Sequence, residues 1–214
     1  VLITARSQDK LDAVADRIRA AGGRVETFAG DLKQPDTAAA VVDAALGAFG
    51  KLDIVAHSAG ATKYGDFFDL TDADFEDGFA LKYYGAVRMT RAAWPHLVKT
   101  GGRILNMVGV GARVSEKNFA IGGSVNSALT NFTKAMADRG VADGVRVNAI
   151  HPGPVLTPRI RQRVEFIMRD EGIDEAAALA KMEANWRVMR LGKPEDIANL
   201  ALFAVSDAGD LLQG

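Results

Sequence analysis

No cysteine occurs in this 214-residue chain, which excludes disulfides, thiolate nucleophiles and cysteine-ligated metals together and suits a reducing, cytoplasmic setting. Charge of one sign is equally lacking. Twenty-six Lys plus Arg stand against 27 Asp plus Glu, a net charge of -1, so no overall field draws the chain toward nucleic acid or an anionic membrane. Long hydrophobic runs are missing too: the longest uncharged stretch, Asn118 to Thr133, is full of Gly, Ser, Asn and Thr and has the character of neither a membrane span nor a signal-peptide core. Tyrosine is scarce, with 3 in all and none after Tyr84, a shortage that bears on any proton chemistry. What is present is 48% hydrophobic residues, the composition of one globular α/β domain, and the balanced charge makes a small molecule the expected ligand.

The periodicity alternates between strand and helix. "VLITAR" is a short β-branched run, followed by Leu11, Val14 and Ile18 at helical spacing and a stop at Gly22 and Gly23. "RVETFAGDL" alternates as a strand, Pro35 opens a helix carrying Val41, Val42, Leu46 and Phe49, and "KLDIVAHSAG" is an apolar run closed by small residues. Thr71 and Asp74 have the spacing of a capping box, and the helix behind them runs to about Leu97. After the strand "GGRILNMVG" come a helix over about 122–139, the strand "GVRVNAIHPG", a charged helical insertion over about 157–189 and a last helix opened by Pro194. Strands and helices alternating at this spacing predict right-handed βαβ crossovers: an α/β, doubly wound parallel sheet in three layers, with ligands bound beyond the carboxyl ends of the strands.

Taken in order, "ITARSQDKL", "GDL", "HSAG", "GGRILN", "GVRVNAIHPGPVLTP" and "LGKPEDIANLALFAVSD" resemble the short-chain dehydrogenase/reductase family over essentially the whole chain. The resemblance implies a single NAD(P)-binding Rossmann domain over 1–214, with the insertion at about 157–189 as its substrate lid. It also implies that the family's first strand, its Gly-rich turn and its last strand are missing from this sequence. Because that first strand would sit at the centre of the sheet, such a chain is expected to be an incomplete copy that folds poorly alone.

The same resemblance assigns the cofactor residues. Ala5, Arg6 and Ser7 end the second family strand, where an acid would favour the 2′-hydroxyl of NAD(H). No acid is there, and Arg6 can pair a 2′-phosphate, which favours NADP(H) over NAD(H); as a plain alternative, Arg6 is a solvated loop charge. Asp31 and Leu32 match the pair bordering adenine, although Asp31 also suits a strand end. Ser58, Ala59 and Gly60 match small residues that let the backbone approach the cofactor, and His57 replaces an asparagine as a packing or turn residue. Val108 closes the fourth strand here, and Pro152, Gly153, Val155 and Thr157 match the segment that holds the nicotinamide.

Family members protonate the alkoxide left by hydride transfer with a Ser, a Tyr and a Lys four residues on, aided by an Asn from the long preceding helix. Here Gly109 stands at the Ser position, Gly122 at the Tyr, Asn126 at the Lys and Lys82 at the Asn. The usual proton donor is absent. Lys and Asn have changed places, so an inverted relay of Lys82 and Asn126 is one reading; a Lys82 that snorkels to solvent and an idle Asn126 is the other. Two glycines in place of a hydroxymethyl and a phenol predict an unusually open pocket. Tyr83 and Tyr84 are candidate replacements for the lost acid, or core and interface residues. Arg159, Arg161 and Arg163 on the lid are either an anion clamp or a solvated face.

Two functions follow. The first is an NAD(P)(H)-dependent oxidoreductase interconverting a carbonyl and an alcohol with an atypical active site. The alternative is a catalytically silent nucleotide-binding sensor or scaffold. The resemblance further implies a homodimer or homotetramer built on the helices over 73–97 and 122–139, with Leu129, Phe132 and Met136 at helical spacing for burial.

Overall fold

The computed structural model describes residues 1–114 and 116–214; the side chain of Arg159, one of the three lid arginines, lies outside the described set. Among the described residues, five strands and eight α-helices follow the order that the periodicity predicts. They are β1 (Leu2–Ala5), α1 (Gln8–Ala20), β2 (Glu26–Ala29), α2 (Thr37–Phe49), β3 (Ile54–His57), α3 (Asp72–Phe79), α4 (Gly85–Thr100), β4 (Arg103–Met107) and α5 (Ala120–Asp143). Then come β5 (Arg146–Ile150), α6 (Pro158–Glu171), α7 (Glu175–Trp186) and α8 (Pro194–Val205).

Local signals explain most boundaries. Asp74 Oδ2 accepts from the Thr71 amide at 2.9 Å while Thr71 Oγ1 accepts from the Asp74 amide at 3.3 Å, which closes the capping box and starts α3. That box and the Lys63 ammonium at 2.9 Å hold the Asp74 carboxyl down at about 2. Pro194 opens α8 as expected. Pro35 does not open α2: it lies in the preceding turn, Asp36 is the N-cap, and the helix begins at Thr37. The long helix behind Thr71 is continuous to Thr100 but widens into a π-helical turn at Ala80–Tyr84. Such turns push side chains out of a helix's regular rows, and Lys82 sits in the middle of this one.

All pairing is parallel. Ile3 lies opposite Thr27 in the β1–β2 pair, and the order β3-β4-β5 places Val55 opposite Ile104 and Ile104 opposite Val147. Alternation along β4 fixes the layers: Ile104 joins a core with α2, α4 and α5, whereas its neighbour Leu105 meets Ala204 of α8 on the other face. This is the three-layer, doubly wound α/β arrangement. It differs from the expected single sheet in one respect. Among the described residues β1 and β3 do not pair, and a cleft of about 1100 Å³ separates them. Val41 and Val42 of α2 and Ala86 and Met89 of α4 line it, and the Thr4 hydroxyl of β1 is buried without a hydrogen-bond partner. The helical insertion folds as α6 and α7 around Val164, Ala178, Met182 and Leu191, a core of its own.

Candidate functional site

Because every strand runs the same way, all segments that follow a strand emerge on one edge of the fold. Arg6 and Ser7 follow β1, Asp31 and Leu32 follow β2, Ser58 to Gly60 follow β3, Val108 and Gly109 follow β4, and Pro152 to Thr157 follow β5. Arg6, Leu32, Ser58, Ala59, Gly60 and Lys82 line a single cavity there, the upper part of the cleft between β1 and β3. The Val110 amide donates to the Pro152 carbonyl at 3.0 Å, which ties the fourth and fifth of these segments together. One Asp31 carboxylate oxygen accepts from the Lys33 amide at 3.0 Å, so the turn uses half of that side chain. Arg6 is exposed and has no ion pair among the described residues.

The exchange of Lys and Asn is a contact. Lys82 Nζ donates to Asn126 Oδ1 at 2.6 Å and to the Val108 carbonyl. An ammonium has no acceptor, so the amide oxygen must face it and the Asn126 Nδ2 must face away. That nitrogen points at two glycines: a Cβ built on Gly109 or on Gly111 would lie 3.2 Å from it. Asn126 is 4% exposed, and Lys82 is half-buried, its stem crossing so close to Gly60 that a Cβ there would lie 2.9 Å from the Lys82 Cδ. Lys82 therefore does not snorkel to solvent.

Gly109 adopts φ 117, ψ 147, a region essentially reserved for glycine. Its carbonyl lies 3.2 Å from His151 Nδ1, which as the partner of a carbonyl must carry the proton. Gly122 lies in the first turn of α5, where glycine costs the helix less than in its interior. The expected open space beside it is filled: a Cβ on Gly122 would stand 2.1 Å from the Phe119 ring, and one on Gly111 2.6 Å from the same ring. Phe119 is the residue that sequence reasoning missed, because a single phenylalanine ahead of a helix carries no periodic signal.

The tyrosines go elsewhere. Tyr83 packs edge-on to Phe79 at 5.9 Å and Phe132 at 6.1 Å, and Tyr84 is 49% exposed with the Arg88 guanidinium 5.7 Å above its ring. Tyr64, in the loop after β3, donates to Glu116 at 3.2 Å and lies 6.2 Å from the Phe119 ring. On the helical insertion, Arg161 faces Glu175 at 3.9 Å, whereas Arg163 lines a second cavity of about 720 Å³ together with Trp186, Gly153, Val110, Val114 and Glu116. His57 is partly accessible from the cleft but deep within it, and burial lowers its pKa from 6.5 to about 4. Among the described residues no helix is long and apolar enough to cross a membrane, and no three acidic or histidine side chains form a group that would hold a metal.

Comparison with known proteins supports the fold and places the family. The family model described as Enoyl-(Acyl carrier protein) reductase matches residues 1–214. An uncharacterized oxidoreductase of Mycobacterium tuberculosis is 37% identical over 216 residues, which span 100% of this chain and 78% of the relative. Among solved structures, L-sorbose reductase from Gluconobacter frateurii, complexed with NADPH and L-sorbose, superposes with a TM-score of 0.90 at 27% identity, covering 97% of this chain and 80% of that one. A 7α-hydroxysteroid dehydrogenase complexed with NADH and 7-oxo glycochenodeoxycholic acid does so with a TM-score of 0.84 at 27% identity, over 100% and 80%. On the motif order, the three-layer fold and the full-length family match, the chain belongs to the short-chain dehydrogenase/reductase family of oxidoreductases.

Proposed function

We propose that this chain is a nicotinamide-dependent oxidoreductase that interconverts a carbonyl and an alcohol on a small molecule, prefers NADP(H) to NAD(H), and uses Lys82 and Asn126 in place of the usual Ser, Tyr, Lys and Asn. The observation that carries the reading is the 2.6 Å hydrogen bond from Lys82 to Asn126 at the carboxyl edge of the strands. The residues present fit the cofactor: Arg6 is an uncommitted cation where a 2′-phosphate would lie, Asp31 keeps one carboxylate oxygen for the adenine amine, and Gly153 has nothing within 4 Å of a Cβ position. Ser58, Ala59, Gly60, Val108, Pro152, Val155 and Thr157 complete its cradle.

When bound, the nicotinamide supplies or accepts the hydride. The chain must then handle a proton and a developing oxyanion. Asn126 Nδ2, aimed into the space that Gly109 and Gly111 leave, is the donor toward the carbonyl oxygen. Its oxygen side holds the Lys82 ammonium, which delivers the proton directly or through a water it positions, and recovers it from solvent. The buried amide thus orients the cation, and the cation fixes which way the amide points.

The second reading, a silent nucleotide-binding protein, is supported by the Phe119 ring, an apolar group where the family places a phenol. Titration with NADPH followed by turnover on a panel of ketones and alcohols separates the two. NADPH binding without turnover by any member would leave only the silent reading. We further propose that the cleft between β1 and β3 takes one more parallel strand, which would pair both open edges, and that the protein acts in the cytoplasm as a homodimer or homotetramer. Leu129 is already buried inside its own subunit, so contacts between copies fall to exposed neighbours such as Tyr84 and Val141.

A further inference from the structure

The second cavity, beside the helical insertion, has an apolar wall of Val110, Val114, Pro154 and Trp186, and three charged groups on its lining: Glu116, Arg163 and Arg187. It adjoins the candidate catalytic pair, since Val110 follows Gly109 and Pro154 follows Gly153. Glu116 is engaged by the Tyr64 hydroxyl. Neither Arg163 nor Arg187 has a hydrogen bond or ion pair through its side chain among the described residues, although their neighbours Arg161 and Arg190 face Glu175 and Asp196.

Arg187 is singular in a second way. Five helices end on a left-handed residue. At α2, α4, α5 and α6 that residue is Gly50, Gly101, Gly144 and Gly172, the residue type that adopts the conformation without strain. At α7 it is Arg187, with φ 54, the one non-glycine residue of positive φ among those described. Side-chain-bearing residues held in this conformation cluster at binding and catalytic sites. Arg187 lines the cavity.

We infer that Arg163 and Arg187 form an oxyanion-recognition pair, and that the substrate has an apolar body ending in a carboxylate or a phosphate monoester. The apolar wall takes the body. The two planar guanidinium groups, each able to bind an oxyanion through paired donors, take the charged end. The two cations outnumber the single acid, which is already hydrogen-bonded. This assignment rests on the oxidoreductase reading only in calling the ligand a substrate.

Calorimetric titration of the full chain with octanoate, octyl phosphate and octanol tests it. One or both anions should bind at least about tenfold tighter than the alcohol, the loss expected for one charge-assisted hydrogen bond. Arg187→Gly or Arg163→Gln should abolish that margin. Glycine suits φ 54, so Arg187→Gly should unfold no earlier than the parent, and lost binding then reports the side chain and not the fold. Equal binding of all three ligands, no binding, or a margin that survives in both variants overturns the assignment. Anion preference without NADPH binding would refute the proposed function and leave this site standing; NADPH binding without anion preference would do the reverse.

Discussion

Lys82 and Asn126 come from different helices, 44 residues apart, and meet at 2.6 Å over the end of β4. In the inverted relay each depends on the other. Lys82→Met should therefore lower turnover by about 100-fold to 10,000-fold, the contribution typical of a positioned acid, while NADPH affinity changes little. Asn126→Leu removes both the orienting oxygen and the Nδ2 donor and should cost about as much, with the double variant no worse than either single one. Steady-state kinetics beside cofactor titration decide this, and additive losses would dissolve the pair.

The proposed preference for NADP(H) makes Arg6 the residue to test. If its guanidinium pairs the 2′-phosphate, Arg6→Ala weakens NADPH by about 1–3 kcal/mol and leaves NADH nearly unchanged. Equal losses for the two cofactors in calorimetry would remove the basis for preferring NADP(H).

His57 gives the molecule an acid sensitivity of definite sign. Its folded-state pKa, about 4, lies below the 6.5 of an exposed imidazole, so the unfolded chain binds this proton more readily. The contribution of His57 to stability is level above about pH 6.5 and falls as pH drops toward 4, by up to about 3 kcal/mol. Denaturant midpoints at pH 7 and pH 4.5 should differ less in His57→Asn than in the parent. An unchanged difference would show that the imidazole is well hydrated in the cleft or that Thr90, 3.4 Å from its Nε2, stabilises the charged ring.

The positions of many of these residues are legible in the sequence. Strand ends follow from short β-branched runs closed by Gly, Ser or Asp, and parallel order then gathers Arg6, Asp31, Ser58, Gly109 and Pro152 on one edge. The Thr71–Asp74 box was equally plain, because its chemistry is local. Other features depend on contacts between distant residues. Nothing in "GGSVNSAL" announces that the Phe119 ring covers Gly122, or in "MVGVG" that Gly109 sits at φ 117; a glycine's sequence symbol is silent about which of its permitted conformations it uses. Periodicity alone hides the parted sheet, since β1 and β3 each read as ordinary strands; only the family resemblance, with its expected missing central strand, points to a gap there.

These hidden contacts change what a reversal of the active site requires. Restoring the family's residues means Gly109→Ser, Gly122→Tyr, Asn126→Lys and Lys82→Asn together. A serine at 109 must hold φ 117, which costs a side-chain-bearing residue of order 1–3 kcal/mol. A tyrosine at 122 would start with its Cβ 2.1 Å from the Phe119 ring, an overlap that costs about 1–3 kcal/mol more even if the ring swings away. The fourfold variant should therefore melt well below the parent and show little activity, whichever function is native. Adding Phe119→Ala vacates the volume beside residue 122, so the fivefold variant should regain part of the lost melting temperature. In that relieved background a silent protein gains measurable ketone reduction with NADPH, whereas a specialised enzyme loses its own reaction. If Phe119→Ala restores no stability to the fourfold variant, the ring is not what closes the space at Gly122, and the reading of Phe119 as the occupant of the phenol's place fails.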